Sequence, residues 1–141
     1  MTDKEKAGES SLEFLRERAK ELDCLYRIDE ILNNGRLSLP EIFEQIIQVL
    51  PSGFRFPDLC KVEITHENHR YRSGGFMTGL QIANYIDIIS NGKVVGTIEV
   101  AYIQEIPLTE EGYFLEKEQK LIKTISDRIG HTLFYRRTEQ M

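Results

Sequence analysis

Apolar positions recur along this chain with two different periods, and the periods change at recognisable turn signals. In "SSLEFLRERAKELDCLYRIDEILNN", Leu12, Leu15, Ala19, Leu22 and Tyr26 fall three and four apart. A neighbouring stripe carries Leu25, Ile28 and Leu32. The spacing predicts a long helix, opened by a capping box at Ser10 and Glu13 and stopped at Asn33-Asn34-Gly35. So wide an apolar face predicts a helix that meets two surfaces, one in its own domain. A second helix is predicted from the Ser38/Glu41 capping box, with Pro40 in its first turn. Ile42, Ile46, Ile47, Val49 and Leu50 form its buried stripe, and "PSG" ends it.

The period then drops to two. In "DLCKVEITHENHRYRS", Cys60, Val62 and Ile64 alternate with Lys61, Glu63 and Thr65, which reads as two strands turning at Glu67-Asn68. A glycine-rich loop, "GGFMTGLQ", leads into "YIDIISNGKVVGTIEVAYI". There Asn91-Gly92 marks a hairpin, because a type I′ turn needs positive φ at both central residues. Tyr85, Asp87, Thr97 and Glu99 should share one face of that hairpin, and Ile86, Ile88, Ile98 and Val100 the other. Pro107 should close the last strand. Helical period returns from about Phe114 to Arg137, through Leu121, Ile122, Ile125, Ile129 and Leu133. The expected fold class is α+β, with an antiparallel sheet between helices at both ends. Residues 1–9 read as a disordered polar leader, 10–137 as one domain and 138–141 as a tail; the charged "YRRTEQM" continues the last helix with no terminator.

Composition narrows the functional classes. A formal net charge of −5 over 141 residues disfavours nucleic acid as a partner, since phosphate binding needs a basic surface. No apolar run approaches a membrane span, and the charged start lacks a signal-peptide core, so no membrane is expected as a partner. Cys24 and Cys60 lie far apart and in no metal-ligand spacing, which suits a reduced, cytoplasmic protein.

The opening "ELDCLYRIDEIL", the hairpin "IDIISNGKVVGTIEVAY" and "EGYFLEKEQKLIKTISDRIG" together resemble GAF-like sensory domains, of the kind found beside bacterial and archaeal histidine kinases. The resemblance covers residues 10–137. It implies a GAF-like antiparallel sheet with the N- and C-terminal helices packed on one face and, often, a small-molecule pocket on the other. It also implies a cytoplasmic homodimer joined through those helices, acting in signal transduction on an output domain or partner. Leu12, Leu15, Ala19, Leu22, Ile122, Ile125 and Ile129 are the candidate dimer residues, with Gly130 permitting close helix contact. Filling the monomer core is the equally weighted alternative. Family members often roof the pocket with one or two helices; here only "SGGFMTGLQ" is available. The Asn-Lys-Phe-Asp-Glu signature of cyclic-nucleotide binders and the Cys-His pair of chromophore binders are absent.

The candidate ligand residues are Lys61, Arg72, Phe76, Tyr85, Asp87, Thr97 and Glu99, with Glu63 beside them, against the plainer reading of a half-solvated sheet. Arg70, Tyr71, Arg72 and Phe76 could clasp an anionic or planar ligand next to the loop. His66 and His69 flank a turn, but a stable zinc site wants three or four ligands. His131 lacks the acidic residue and proline of a phospho-acceptor helix. Neither cysteine sits where its pKa would fall, and the glutamates of "TEEGYFLEKEQ" are explained by the helix dipole. No catalytic constellation, cofactor motif or metal set stands out. The functional expectation is a regulatory module that binds a small molecule on the sheet face and biases terminal-helix packing. The alternative is a ligand-free dimerisation or protein-interaction scaffold.

Overall fold

In the computed structural model, which describes residues 3–139 and the side chains of 11–137, the Asn91-Gly92 hairpin organises the sheet. Asn91 and Gly92 have φ of 52° and 75°, as a type I′ turn requires. They join β3 (Ile82–Ser90) to β4 (Lys93–Tyr102), in the register Tyr85 opposite Glu99, Ile86 opposite Ile98 and Asp87 opposite Thr97. β1 (Cys60–His66) and β2 (His69–Arg72) turn at Glu67-Asn68, and β1 also pairs with β4. The result is a four-stranded antiparallel sheet in the order β2-β1-β4-β3. β4 stops at Tyr102, short of Pro107. A register shift between Ile88 and Ile89 leaves Val95 as the extra residue on β4 and pairs Ile89 with Val94; Ile88 faces the core, while Ile89 and Val94 are exposed.

Cys60, Val62, Ile64, Tyr71, Ile98, Val100 and Tyr102 project from one face of the sheet into a single core. Two helices cover that face. α2 (Leu39–Val49) begins with the expected capping box, Ser38 Oγ accepting from the Glu41 N–H at 3.3 Å and Glu41 Oε1 from the Ser38 N–H at 3.1 Å. It packs on β1 and β2. α3 (Glu116–Glu139) lies along β3 and buries Leu121, Ile122, Ile125, Ile129 and Leu133. Gly130 is what allows the approach, since a Cβ there would collide with the backbone oxygen of Ile89. The close contact Gly130 permits is therefore with a strand and not with another helix.

α1 (Asp3–Leu32) stands one layer further out, against α2, α3 and the 3₁₀ turn Leu50–Gly53. It buries Cys24, Ile28 and Leu32. Its start differs from the sequence expectation: Ser10 and Glu13 fall within the helix, so no capping box forms there. The Lys, Glu and Ala that precede Ser10 are good helix formers, and the helix runs through them. Of the expected leader and tail, Met1, Thr2, Gln140 and Met141 lie outside the described residues. No helix among the described residues is long and apolar enough to cross a membrane.

Candidate functional site

The antiparallel register assembles a polar row straight across the sheet face opposite the core: Arg72 on β2, Glu63 on β1, Glu99 on β4 and Tyr85 on β3. The next row, about 7 Å along the strands, contains Arg70, Thr65, Thr97 and Asp87. On the other side Lys61, Ala101 and Ala83 align. Lys61, Tyr85, Asp87, Thr97 and Glu99 therefore do share one face.

Glu63 and Glu99 stand directly opposite one another, an arrangement that repels unless each carboxylate is compensated. Arg72 supplies the compensation for Glu63 through an ion pair across β1 and β2. Tyr85 stands opposite Glu99, and hydrogen bonding to that carboxylate is the main cause that pushes the Tyr85 hydroxyl pKa above its ordinary value. Within the row one carboxylate is thus paired with a cation and the other faces a neutral hydroxyl.

The glycine-rich loop then closes over part of it. Ser73 extends the pairing by one residue: its N–H donates to the Val62 carbonyl at 2.9 Å, and its hydroxyl accepts from the Val62 N–H at 2.9 Å. The Phe76 N–H returns to the Ser73 carbonyl at 3.1 Å and folds the loop back. Phe76 is buried, with the Arg72 guanidinium 5.6 Å from its ring centre, and Arg72 Nη2 reaches Thr78 Oγ1 at 3.0 Å. Lys61 runs beneath Gly75. Glu99 and Ala101 are left 5% and 0% exposed. Arg72 and Phe76 do form a clasp, but the clasp grips the protein's own loop. Tyr85 and Asp87 stay exposed, and Thr97 is half-buried.

The neighbouring candidates separate. Tyr71 faces the core, its ring 5.1 Å from that of Phe43, and so does not join the loop. His66 packs on the other edge of Phe43, at 5.2 Å, while His69 is exposed across the turn. No group of three or more potential metal ligands occurs among the described residues. His131 is an exposed residue of α3. Cys24 and Cys60 are buried, and desolvation raises both thiol pKa values, that of Cys24 to about 11.

The candidate dimer residues also divide. Ile122, Ile125 and Ile129 are buried within the single chain, because α3 turns them onto the sheet. They are core, and the interface expected on α3 is already covered from inside. Leu12, Leu15, Ala19 and Leu22 are exposed along α1, and Tyr26 continues their line at 64% exposure.

Two features escaped sequence reading. Glu118, in the first turn of α3, is buried and accepts the Leu115 N–H at 2.7 Å and the Arg55 N–H at 2.8 Å. Burial is the main cause that raises its pKa. Its place three residues after Leu115, at a helix start, is the signal that could have marked it. The second is a groove between the first half of α1 and the start of α3, lined in part by the glutamates of "TEEGYFLEKEQ". The helix dipole explains acidic residues there, but not which wall they face. Comparison with protein-family models gives no match, and comparison with curated proteins gives none either.

Proposed function

We propose that the chain is a GAF-like regulatory module that acts as a homodimer through α1 and hands a conformational bias along its terminal helices to an output domain or partner protein. The observation that supports this reading is the outer stripe of α1. Leu12, Leu15, Leu22 and Tyr26 are each more than half exposed, and Ala19 lies in the same line. Each buried aliphatic side chain contributes about 1.5–3 kcal/mol, and a contiguous exposed apolar line marks an interaction surface. The 3,4 spacing suits pairing with a second helix, and the small Ala19 at its centre suits a close crossing. A four-stranded antiparallel sheet with α3 on its core face, and α1 packed against α3 in the layer outside, supports the GAF-like resemblance.

A small-molecule role is the second reading, favoured by the buried Glu99 and half-buried Glu63 on the polar sheet face beside the glycine-rich loop. Ligand contacts on that face would favour one packing of the terminal helices, a shift between populations. In the ligand-free alternative the helices work alone.

Sedimentation equilibrium of the wild type and of Leu15→Glu/Leu22→Glu tests the dimer. The wild type should be dimeric and the variant a folded monomer with an unchanged helical spectrum. A monomeric wild type, or a variant that stays dimeric, sinks the assignment. Native mass spectrometry of the purified dimer separates the sensor from the scaffold, because only the sensor should carry non-protein mass.

A further inference from the structure

A hollow of about 300 Å³ lies between α1 and α3, beside the outer stripe of α1. Arg18, Glu21, Leu22 and Leu25 form its α1 wall, and Lys117, Lys120 and Arg128 stand on its α3 wall. Leu22 belongs both to the hollow and to the exposed stripe, so the two surfaces are continuous.

The hollow is cationic in a chain whose formal net charge is −5. Arg18, Lys117, Lys120 and Arg128 line it against a single carboxylate, Glu21. Glu21 is buried and already held, by Arg18 at 3.4 Å and by Lys117 at 4.0 Å. Lys120 pairs with Glu116 at 3.5 Å, and Arg128 with Asp29. The side chains of Arg18 and Lys120 are 56% and 76% exposed. Exposed pairs are weak, so both cations remain open to a further carboxylate.

The same chain carries that carboxylate on the far flank of the stripe. With 3.6 residues per turn, Leu12, Ala19 and Tyr26 take one seam position of a heptad, and Leu15 and Leu22 take the other. Arg18 and Leu25 flank the seam on the α3 side, and Arg16 and Asp23 flank it on the opposite side. Asp23 is exposed and has no ion pair among the described residues. When two such helices pair in parallel, each flank meets the opposite flank of the other helix. Arg18 then meets the partner's Asp23 at the mouth of the hollow, twice per dimer by symmetry. An antiparallel pair brings like flanks together instead, so the hollow would face its own copy, cations against cations.

We propose that the hollow seats the partner subunit's Asp23 and so fixes a parallel pairing of the two α1 helices. The proposal rests on the homodimer reading and deepens it. α1 and α3 run in the same direction, because the contacts Glu21 to Lys117, Asp29 to Arg128 and Asn34 to Arg136 advance together along both helices. A parallel dimer therefore brings the C-terminal ends of both α3 helices to one end of the assembly, where one output can read them together.

Sedimentation equilibrium of Arg18→Glu, Asp23→Arg and the double exchange tests the proposal. Each single change sets like charges against each other twice per dimer and should weaken association about tenfold or more. The double exchange restores opposite charges and should restore wild-type association. It still leaves an acidic side chain beside Glu21, so rescue separates a lost contact from a damaged helix. Leu12→Cys, at the end of the stripe, should also form a disulfide between subunits on mild oxidation. Parallel pairing sets its two copies face to face, whereas antiparallel pairing keeps them about 15–25 Å apart. Cys24 and Cys60 are buried and do not compete. A monomeric wild type overturns the dimer reading and the proposal with it. With a dimeric wild type, the proposal alone fails if Arg18→Glu associates normally, if the double exchange does not rescue, or if the disulfide does not form.

Discussion

The apolar stripe of α3 and the outer stripe of α1 have the same spacing and opposite fates. Ile122, Ile125 and Ile129 are sealed because α3 lies directly on β3, close enough for Gly130 to touch the Ile89 carbonyl. Leu12, Leu15 and Leu22 are open because α1 is separated from the sheet by α2, α3 and the Leu50–Gly53 turn, which its other face already covers. A 3,4 repeat states that burial is favourable. It does not name the partner, and a helix with two such faces satisfies only one of them within the chain.

The contrast can be broken most forcefully at Ile125. Ile125→Glu should unfold the protein, since losing a buried isoleucine alone costs about 2–5 kcal/mol and an unpaired buried charge adds to it. That approaches the whole stability of a domain, about 5–15 kcal/mol. Circular dichroism would show it, and a folded Ile125→Glu protein would return α3 to the interface. Leu22→Glu, by contrast, should change unfolding free energy by less than about 0.5 kcal/mol at a concentration where the protein is monomeric.

Gly130→Ala comes next. The added methyl meets strand backbone rather than a pliable side chain, so a loss of about 1–3 kcal/mol is expected in urea unfolding. No loss would mean that α3 does not approach β3 so closely.

A smaller effect sharpens the same helix at its other end. The folded state holds the Glu118 proton at higher pH than the unfolded state, because burial raises the carboxyl above its ordinary value of 4.5. Stability contributed by this group therefore falls as pH rises through that window. Relative to Glu118→Gln, the wild type should gain stability as pH drops towards 4.5, and the difference should level off below it. A difference that is flat with pH would show an unshifted group.

The smallest perturbation reads burial without altering it. Cys24 lies on the covered face of α1 and Cys60 on the covered face of the sheet, both with thiol pKa values raised by desolvation. Ellman's reagent should label neither in the native protein at pH 7.5 and both in guanidinium. Rapid native labelling of Cys24 would show that α1 detaches.

Local chemistry was legible in the residues. Asn91-Gly92 placed a hairpin, Ser38 with Glu41 placed a helix start, and alternation through β1, β3 and β4 assigned Tyr85, Asp87, Thr97 and Glu99 to one face. Ser10 with Glu13 misled, because a capping box acts only where a helix begins, and good helix formers upstream let the helix run through. Glu63 and Glu99 were on the right face, but nothing in their spacing showed that Arg72 and Tyr85 complete their row. The groove was not legible at all, since its walls come from residues about a hundred positions apart.

What the sequence by itself determined is therefore the period, the turns and the face of each residue, which depend on neighbours a few positions away. The tertiary structure alone decided what covers each face. It put α3 on the sheet, left the outer stripe of α1 open, closed the loop of Phe76 over Arg72 and Lys61 and brought Glu13 and Phe14 across from Glu110 and Leu115. The physical reason is that hydrogen bonding and side-chain direction are set along the chain, whereas burial is settled by which surfaces compete for the same space.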